Sequence, residues 1–306
     1  MRQIALVVLA TLSMLSLYQP SAQAAQKLRV VTTIPDLKSL AEAVGGDLVE
    51  VDSLTRGTQN FHEAEVRPSM MLKLRRADAL IENGADLDAW ADVAVTGANN
   101  GNIIRGAPGR IDISRGIPLL EVPSTRVDRS GGDVHPLGNP HFSLDPGLAP
   151  AITQNIVDGL SRLAPDNRAA FEKNRATFLQ KLDREMDRWI KLLEPVRGAK
   201  VVVFHPDFIY FLTRFGLVQV GTLEDRPGIP PSPQHLVQII RQMKAEQVKV
   251  ILVEPWNDLK LAERVAAEAG GAKALVMATS VGAVKGADNY IAAIEYNVTT
   301  LAQALK

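Results

Sequence analysis

The stretch DNRAAFEKNRATFLQKLDREMDRWIKLLEPVR, Asp166 to Arg197, decides the fold. Phe171, Phe178, Leu182, Met186, Trp189 and Leu193 recur at spacings of three, four and seven, and Lys, Arg, Glu and Asp fill the positions between. That period lines the apolar side chains along one stripe of an amphipathic helix. Pro165-Asp166 makes a good start, and Pro195 with Gly198 a good stop. About 30 residues rising about 1.5 Å each would span roughly 45 Å, more than one small domain is wide. The helix is therefore expected to run along two lobes.

The flanks of this helix repeat each other. Before it, VVTTIPDLKSLAEAVGGDLVEVDSLTRG starts at Val30; after it, VVVFHPDFIYFLTRFGLVQVGTLEDRPG starts at Val201. Each is a β-branched apolar run, then Pro-Asp (Pro35-Asp36, Pro206-Asp207), a helical stretch, a second strand and a polar Arg/Gly loop. The echo continues: RPSMMLKLRRADALIENGADLDAW from Arg67 answers PPSPQHLVQIIRQMKAEQVKVILVEPWNDLKL from Pro230, pairing Glu82 with Glu254 and Asp86 with Asp258. Fully apolar strands separated by helices belong to parallel βαβ units with helices on both faces. The expected fold is thus α/β, two lobes, each a parallel sheet flanked by helices, bridged by one long helix. The expected division is an N-terminal lobe over 26–157, a linking helix over 158–197 and a C-terminal lobe over 198–306.

Met1 to Ala25 is expected to be a cleavable signal peptide. Arg2 supplies the positive end, Ile4 to Leu17 the apolar run, and Gln19-Pro20 a break before Ala22-Gln23-Ala24. The run is shorter than the about 20 residues needed to span a bilayer. With no cysteine, the chain has neither a lipid attachment site at the cleavage point nor a disulfide. A periplasmic protein follows. Lys plus Arg and Asp plus Glu number 34 each, so net charge directs the chain to neither nucleic acid nor an acidic surface. An apolar content of 46% suffices for two ordinary domains with cores.

In the first lobe LRVVTT, LVEVDSL and ADALIEN read as strands, with helices near Asp36–Val44, Ser69–Arg76 and Leu87–Gly97; NIIRGA and IDIS read as two short edge elements. Glu121 to Asn139, rich in Gly, Pro, Ser and Asp, reads as an irregular loop. In the second, AKVVVF, LVQVGTL, VKVILVE and ALVM are strands, covered by helices at Ser232–Ala245, Leu259–Ala269 and Asn289–Ala304. Ligands of open parallel sheets bind at the carboxyl ends of the strands, so residues there carry the functional reading.

There are five histidines. His205 directly follows the strand AKVVVF, His62 lies in the loop after LVEVDSLTRG, and His141 sits in GNPHFSLDP ahead of the long helix. Three imidazoles able to converge at strand ends suit zinc, whose fourth position is filled by water or a carboxylate. Neutral imidazoles are required, so affinity is expected to fall below about pH 6.5.

The ordered segments GTQNFHEAEVRPSMMLKLRRADALIENGADLDAW, NPHFSLDP, VVVFHPDFIYFLTRFGL and PSPQHLVQIIRQMKAEQVKVILVEP, with the closing NYIAAIEYNVTTLAQAL, resemble the zinc- and manganese-binding solute-binding proteins of ABC transporters. The resemblance covers essentially the whole mature chain. It implies the cluster A-I-like architecture of two α/β lobes bridged by a helix, and delivery of the cleft-bound metal to a permease served by an ATPase subunit. It maps the first three ligands onto His62, His141 and His205; histidine at the third, where manganese binders often have glutamate, points to zinc over manganese. The family's usual fourth ligand is an aspartate after the last strand, where this chain reads Ala278-Thr279-Ser280-Val281-Gly282. Candidates for the fourth position are Glu63, Glu224, Asp225 or water.

Glu254 reads as a hydrogen-bonding group. Asp145 orients a histidine or caps a turn, and His235 is expected to be exposed on a helix. His135 is a single histidine in a short loop. Other functions in view are a periplasmic zinc chaperone and a zinc hydrolase, although no HExxH pair supports the latter and few aromatic residues are present for an organic ligand. A monomer that is not an enzyme is the reading taken forward.

Overall fold

The apolar runs flanking the long helix form two four-stranded parallel sheets of identical topology. The computed structural model describes residues 27–125, 127 and 132–306. The expected signal peptide, 1–25, lies outside them. Strands β1 (Leu28–Thr32), β2 (Val49–Ser53), β3 (Ala79–Glu82) and β4 (Arg110–Asp112) are arranged β2-β1-β3-β4. Strands β5 (Lys200–Val203), β6 (Val218–Thr222), β7 (Val250–Val253) and β8 (Lys273–Val276) repeat this as β6-β5-β7-β8.

Helices α1 (Pro35–Gly45), α2 (Pro68–Arg75), α3 (Ala91–Ala98) and α4 (Ala149–Leu163) serve the first sheet. The long helix α5 covers Arg168–Leu193, 26 residues, flanked by 3-10 turns at Pro165–Asn167 and Glu194–Val196. Helices α6 (Ile209–Phe215), α7 (Pro233–Glu246), α8 (Leu259–Glu268) and α9 (Tyr290–Leu305) follow. Two boundaries differ from expectation. Residues 158–163, assigned above to the linking helix, are the last turns of α4, which Ala164-Pro165 ends. NIIRGA contributes a 3-10 turn, Gly101–Ile103, because the Asn100 side chain accepts from Asn102 N and donates to Leu74 O and Ala77 O. Strand pairing resumes only at Arg110.

Side chains alternate across each strand, so each sheet has two apolar faces to cover. The outer faces form separate clusters: Val31 and Leu80 meet Leu74 of α2 and Val95 of α3, and Val202, Ile251 and Val253 meet Met243 of α7 and Val265 of α8. The inner faces share one core. Val30, Ile81, Val203 and Leu252 belong to the same buried cluster as Leu40 of α1, Ile156 of α4, Ile294 of α9 and the α5 residues Phe171, Leu182, Trp189 and Leu193. Phe178 and Met186 complete the stripe as half-buried residues. The Trp189 indole donates to Glu295 of α9, to which Arg188 also pairs, so α9 is fastened along the last turns of α5.

A polar bolt joins the halves at the cleft. Asp36, buried at the start of α1, accepts from Ser280 Oγ at 2.9 Å and Val281 N at 2.8 Å on the loop after β8, and from Ser143 Oγ at 3.4 Å. The same loop touches the segment after β2: a Cβ on Gly57 would stand 2.2 Å from Val281 O, so only glycine permits this approach.

Burial raises the Asp36 carboxyl from 3.8 to about 6, its three hydrogen bonds opposing the shift. A folded-state value above the unfolded one contributes stability that is complete below about 3.8 and lost as pH rises through about 6. Urea unfolding of the metal-free protein should therefore show the wild type losing about 3 kcal/mol relative to Asp36→Asn between pH 4 and 7. Parallel pH profiles for the two proteins would contradict this account.

Candidate metal centre

Three loops at the carboxyl ends of the strands deliver one polar cluster. His62 arrives on the segment after β2, where Trp90 Nε1 donates to Phe61 O at 2.8 Å and the Phe61 ring meets Trp256 edge-on at 5.8 Å. Its backbone N donates to Asn60 Oδ1. His141 follows Pro140, whose carbonyl accepts from Asn83 Nδ2 at 3.0 Å. His205 lies two residues beyond β5, its backbone N donating to the buried Glu254 carboxylate at 3.3 Å. Asp207 closes a tight turn back onto His205, its N donating to His205 O at 2.8 Å.

His62, His141, His205 and Asp207 each turn one ligand atom into a space where all four lie within 4.8 Å of one another. Asp207 Oδ1 stands 2.9 Å from His141 Nε2, 3.5 Å from His205 Nε2 and 4.0 Å from His62 Nε2. His62 Nε2 and His141 Nε2 are 3.0 Å apart. Tetrahedral zinc with bonds of about 2.0–2.1 Å separates its ligand atoms by roughly 3.3 Å, so these spacings bracket what the ion requires. The four side chains are 2–8% exposed, which keeps bulk water from the space between them.

Two rings are held from behind. His141 Nδ1 donates to Asn139 Oδ1 at 2.9 Å, and His205 Nδ1 pairs with Glu224 Oε2 at 2.7 Å, so both direct Nε2 inward. Glu224, a candidate for the fourth position, thus lies on the opposite edge of the His205 ring from the cluster and also accepts from Gly228 N. Glu63 and Asp225 are exposed and outside the cluster. Thr279 is buried. The carboxylate in the cluster is Asp207, which in the sequence is half of a repeated Pro-Asp and not a candidate ligand. Its signal was its place two residues beyond His205 at a strand end.

The remaining residues fall as follows. His235 is half-buried, not exposed, because Nε2 reaches Thr222 O at 2.9 Å. Asp145 caps a turn through Gly147 N and pairs with Arg214. Glu254 is a hydrogen-bonding group, as expected, accepting from Asn257 as well. The His135 ring centroid is 5.0 Å from that of His62 and 6.2 Å from that of His141, and its Nδ1 lies 4.0 Å from Asp86.

The family model described as zinc-uptake complex component A, periplasmic, matches residues 30–304. The chain belongs to this family. It is similar to the zinc-binding lipoprotein AdcA of Streptococcus pneumoniae serotype 4, with 26% identity over 92% of the chain, and spans 56% of that relative's length. To the high-affinity zinc uptake system protein ZnuA of Bacillus subtilis it is 26% identical, over 91% of this chain and 88% of that one. The crystal structure of ZnuA superposes with a TM-score of 0.78 at 27% identity, covering 92% of this chain and all of that one.

Within this member of the zinc-uptake component family, the electrostatics of the cluster centre on Asp207. Burial pushes its carboxyl up, but the imidazoles of His141 and His205, with His62 beside them, hold it well below the usual range. For His141 burial outweighs the attraction of Asp207 and, with the neighbouring histidines, lowers the imidazole below its ordinary value. His205 behaves oppositely: burial lowers it, yet Asp207, Glu224 and Glu254 together raise it to about 9. Burial and the proximity of Asp207 raise Glu254 to about 8.

A proton on His205 must leave before Nε2 can bind a cation, so the pH limit moves upward from the expected 6.5 toward about 9. Metal affinity should rise up to roughly tenfold per pH unit between about pH 7 and 8.5, and calorimetry in buffers of different ionisation enthalpy should register release of about one proton at pH 7.5. A flat affinity above pH 6.5 with no buffer dependence would show His205 to be neutral in the metal-free protein.

Proposed function

We propose that this chain is an extracytoplasmic solute-binding protein that captures zinc between its two halves and delivers it to an ABC permease and its ATPase subunit. The observation that carries this reading is the convergence of three imidazole nitrogens and one carboxylate oxygen in a buried space, in a chain of the zinc-uptake component family. His62, His141, His205 and Asp207 are the ligands in this reading, and Asp207 takes the position for which Glu63, Glu224, Asp225 or water were candidates. One carboxylate with three neutral imidazoles leaves zinc a single residual positive charge in its buried site, where imidazoles alone would leave two. Manganese, which prefers oxygen ligands, is the weaker fit to a nitrogen-rich set. The chain works as a carrier and not as an enzyme, exported by a cleavable signal peptide.

In a competition titration with a zinc chelator, His62→Ala, His141→Ala, His205→Ala and Asp207→Asn should each weaken zinc by more than roughly 100-fold, beyond the 10–100-fold expected of residues that merely orient a ligand. Glu63→Gln, Asp225→Asn and His235→Ala should bind as the wild type does. Unchanged affinity in Asp207→Asn would remove the carboxylate from the ligand set. Because the inner faces of both sheets share one core with α5, loading should move loops more than lobes. Small-angle scattering profiles of metal-free and zinc-loaded protein should therefore nearly coincide; a large compaction would refute this.

A further inference from the structure

Asn139 touches both ligand-bearing halves of the cluster. Its Oδ1 accepts from His141 N at 3.0 Å and from the His141 ring Nδ1 at 2.9 Å. Its Nδ2 donates to Pro206 O at 2.8 Å, the carbonyl between His205 and Asp207, and to Glu121 Oε2 at 2.8 Å. Nδ2 faces two oxygens and Oδ1 two nitrogens, so the amide has a single consistent orientation. An amide oxygen can only accept. His141 Nδ1 therefore carries a proton, and Nε2 is the nitrogen that faces the cluster.

The backbone is spent in the same way: Asn139 N donates to Leu120 O at 2.8 Å, and Tyr210 Oη donates to Asn139 O at 2.7 Å. Glu121, which receives the second Nδ2 hydrogen, sits at φ +51°, a left-handed conformation that costs a non-glycine residue energy. Asn139 is 7% exposed, so an unmet donor or acceptor there would go without compensation from water.

We propose that Asn139 is the positioning residue of the metal centre. One amide holds His141 in the tautomer that presents Nε2 and ties the His141 segment to the peptide joining His205 and Asp207. The distance between ligands of the two halves is then set before a metal arrives, which favours a small four-coordinate cation over a larger six-coordinate one. This rests on the zinc reading above. The carboxamide is required for both tasks. A carboxylate would still accept from His141 but would set its charge against Pro206 O and the Glu121 carboxylate, with no hydrogen to donate to either.

The test compares Asn139→Ala, Asn139→Asp and Tyr210→Phe with the unaltered full chain, reading zinc and manganese affinity by competition and the His141 tautomer by nitrogen-15 chemical shifts of the metal-free protein. Asn139→Ala should lose roughly 10–100-fold in zinc affinity, narrow the zinc-to-manganese ratio and allow His141 to carry its proton on Nε2. Asn139→Asp should keep the Nδ1-protonated tautomer yet still lose at least roughly tenfold in zinc affinity. Tyr210→Phe, which removes the hydroxyl's bonds to Asn139 O and Leu120 N but leaves the Asn139 carboxamide intact, should leave affinity and tautomer unchanged. The proposal is overturned if Asn139→Ala keeps wild-type affinity and tautomer, if Asn139→Asp binds zinc as the wild type does, or if Tyr210→Phe reproduces the loss. His141→Ala separates the two readings: if it too leaves zinc binding intact, the assignment of the site as the zinc centre fails, whereas its loss beside unaffected Asn139 variants removes the positioning role alone.

Discussion

An apolar core runs unbroken from Val30 of the first sheet through Phe171, Leu182 and Trp189 of α5 to Val203 of the second. Everything at the cleft depends on it. Four side chains from three loops meet out of water only if the sheets that end in those loops keep a fixed relation, and interlocked side chains cannot slide without opening voids. The amphipathic stripe of α5 is thus more than a linker's inner face. It lets two topologically equal sheets, each with its own outer cluster, act as one body at their inner surfaces.

On that support, the cluster is an electrostatic compromise. Asp207 would not stay ionised at 2% exposure without positive or hydrogen-bonding neighbours, and three imidazoles would not willingly share a buried space with a cation without a negative one. Glu224, held behind the His205 ring, adds negative charge where it steadies that ring without competing for the centre, and Glu254 holds the His205 backbone N. The outcome is a set of groups whose protonated form is a placeholder: the extra proton on His205 balances Asp207 until a divalent ion replaces it.

Much of this was legible in the chain. The β-branched runs at Val30 and Val201, the helix stripe from Phe171 to Leu193, and the three histidines at strand ends all obey local rules of period and position, which need no knowledge of distant contacts. What escaped depends on direction. Glu224 was close enough in sequence to be a candidate, but whether a carboxylate faces the metal space or the back of an imidazole is decided by the turn at Gly228, which accommodates it through a backbone N–H. Asp207 was hidden by its own repeat, because a Pro-Asp that occurs twice reads as a helix start in both places. NIIRGA reads as a short edge element but contributes a 3-10 turn, because Asn100 satisfies backbone carbonyls at and just beyond the end of α2, a contact that no short window of sequence contains.

The duplicated Pro-Asp has a consequence for how such a two-halved molecule divides its labour. Each copy follows the central strand of its sheet and ends with a buried carboxylate near the cleft. In the first half two hydroxyls and a peptide N–H surround Asp36, so the charge is used up internally and the residue becomes a fastener between halves. In the second the neighbours of Asp207 are imidazoles, and the charge stays on offer. The same two letters in the same topological place therefore yield a rivet or a receptor, according to whether hydroxyls or imidazoles face them, and the pseudo-symmetric frame needs only one of each.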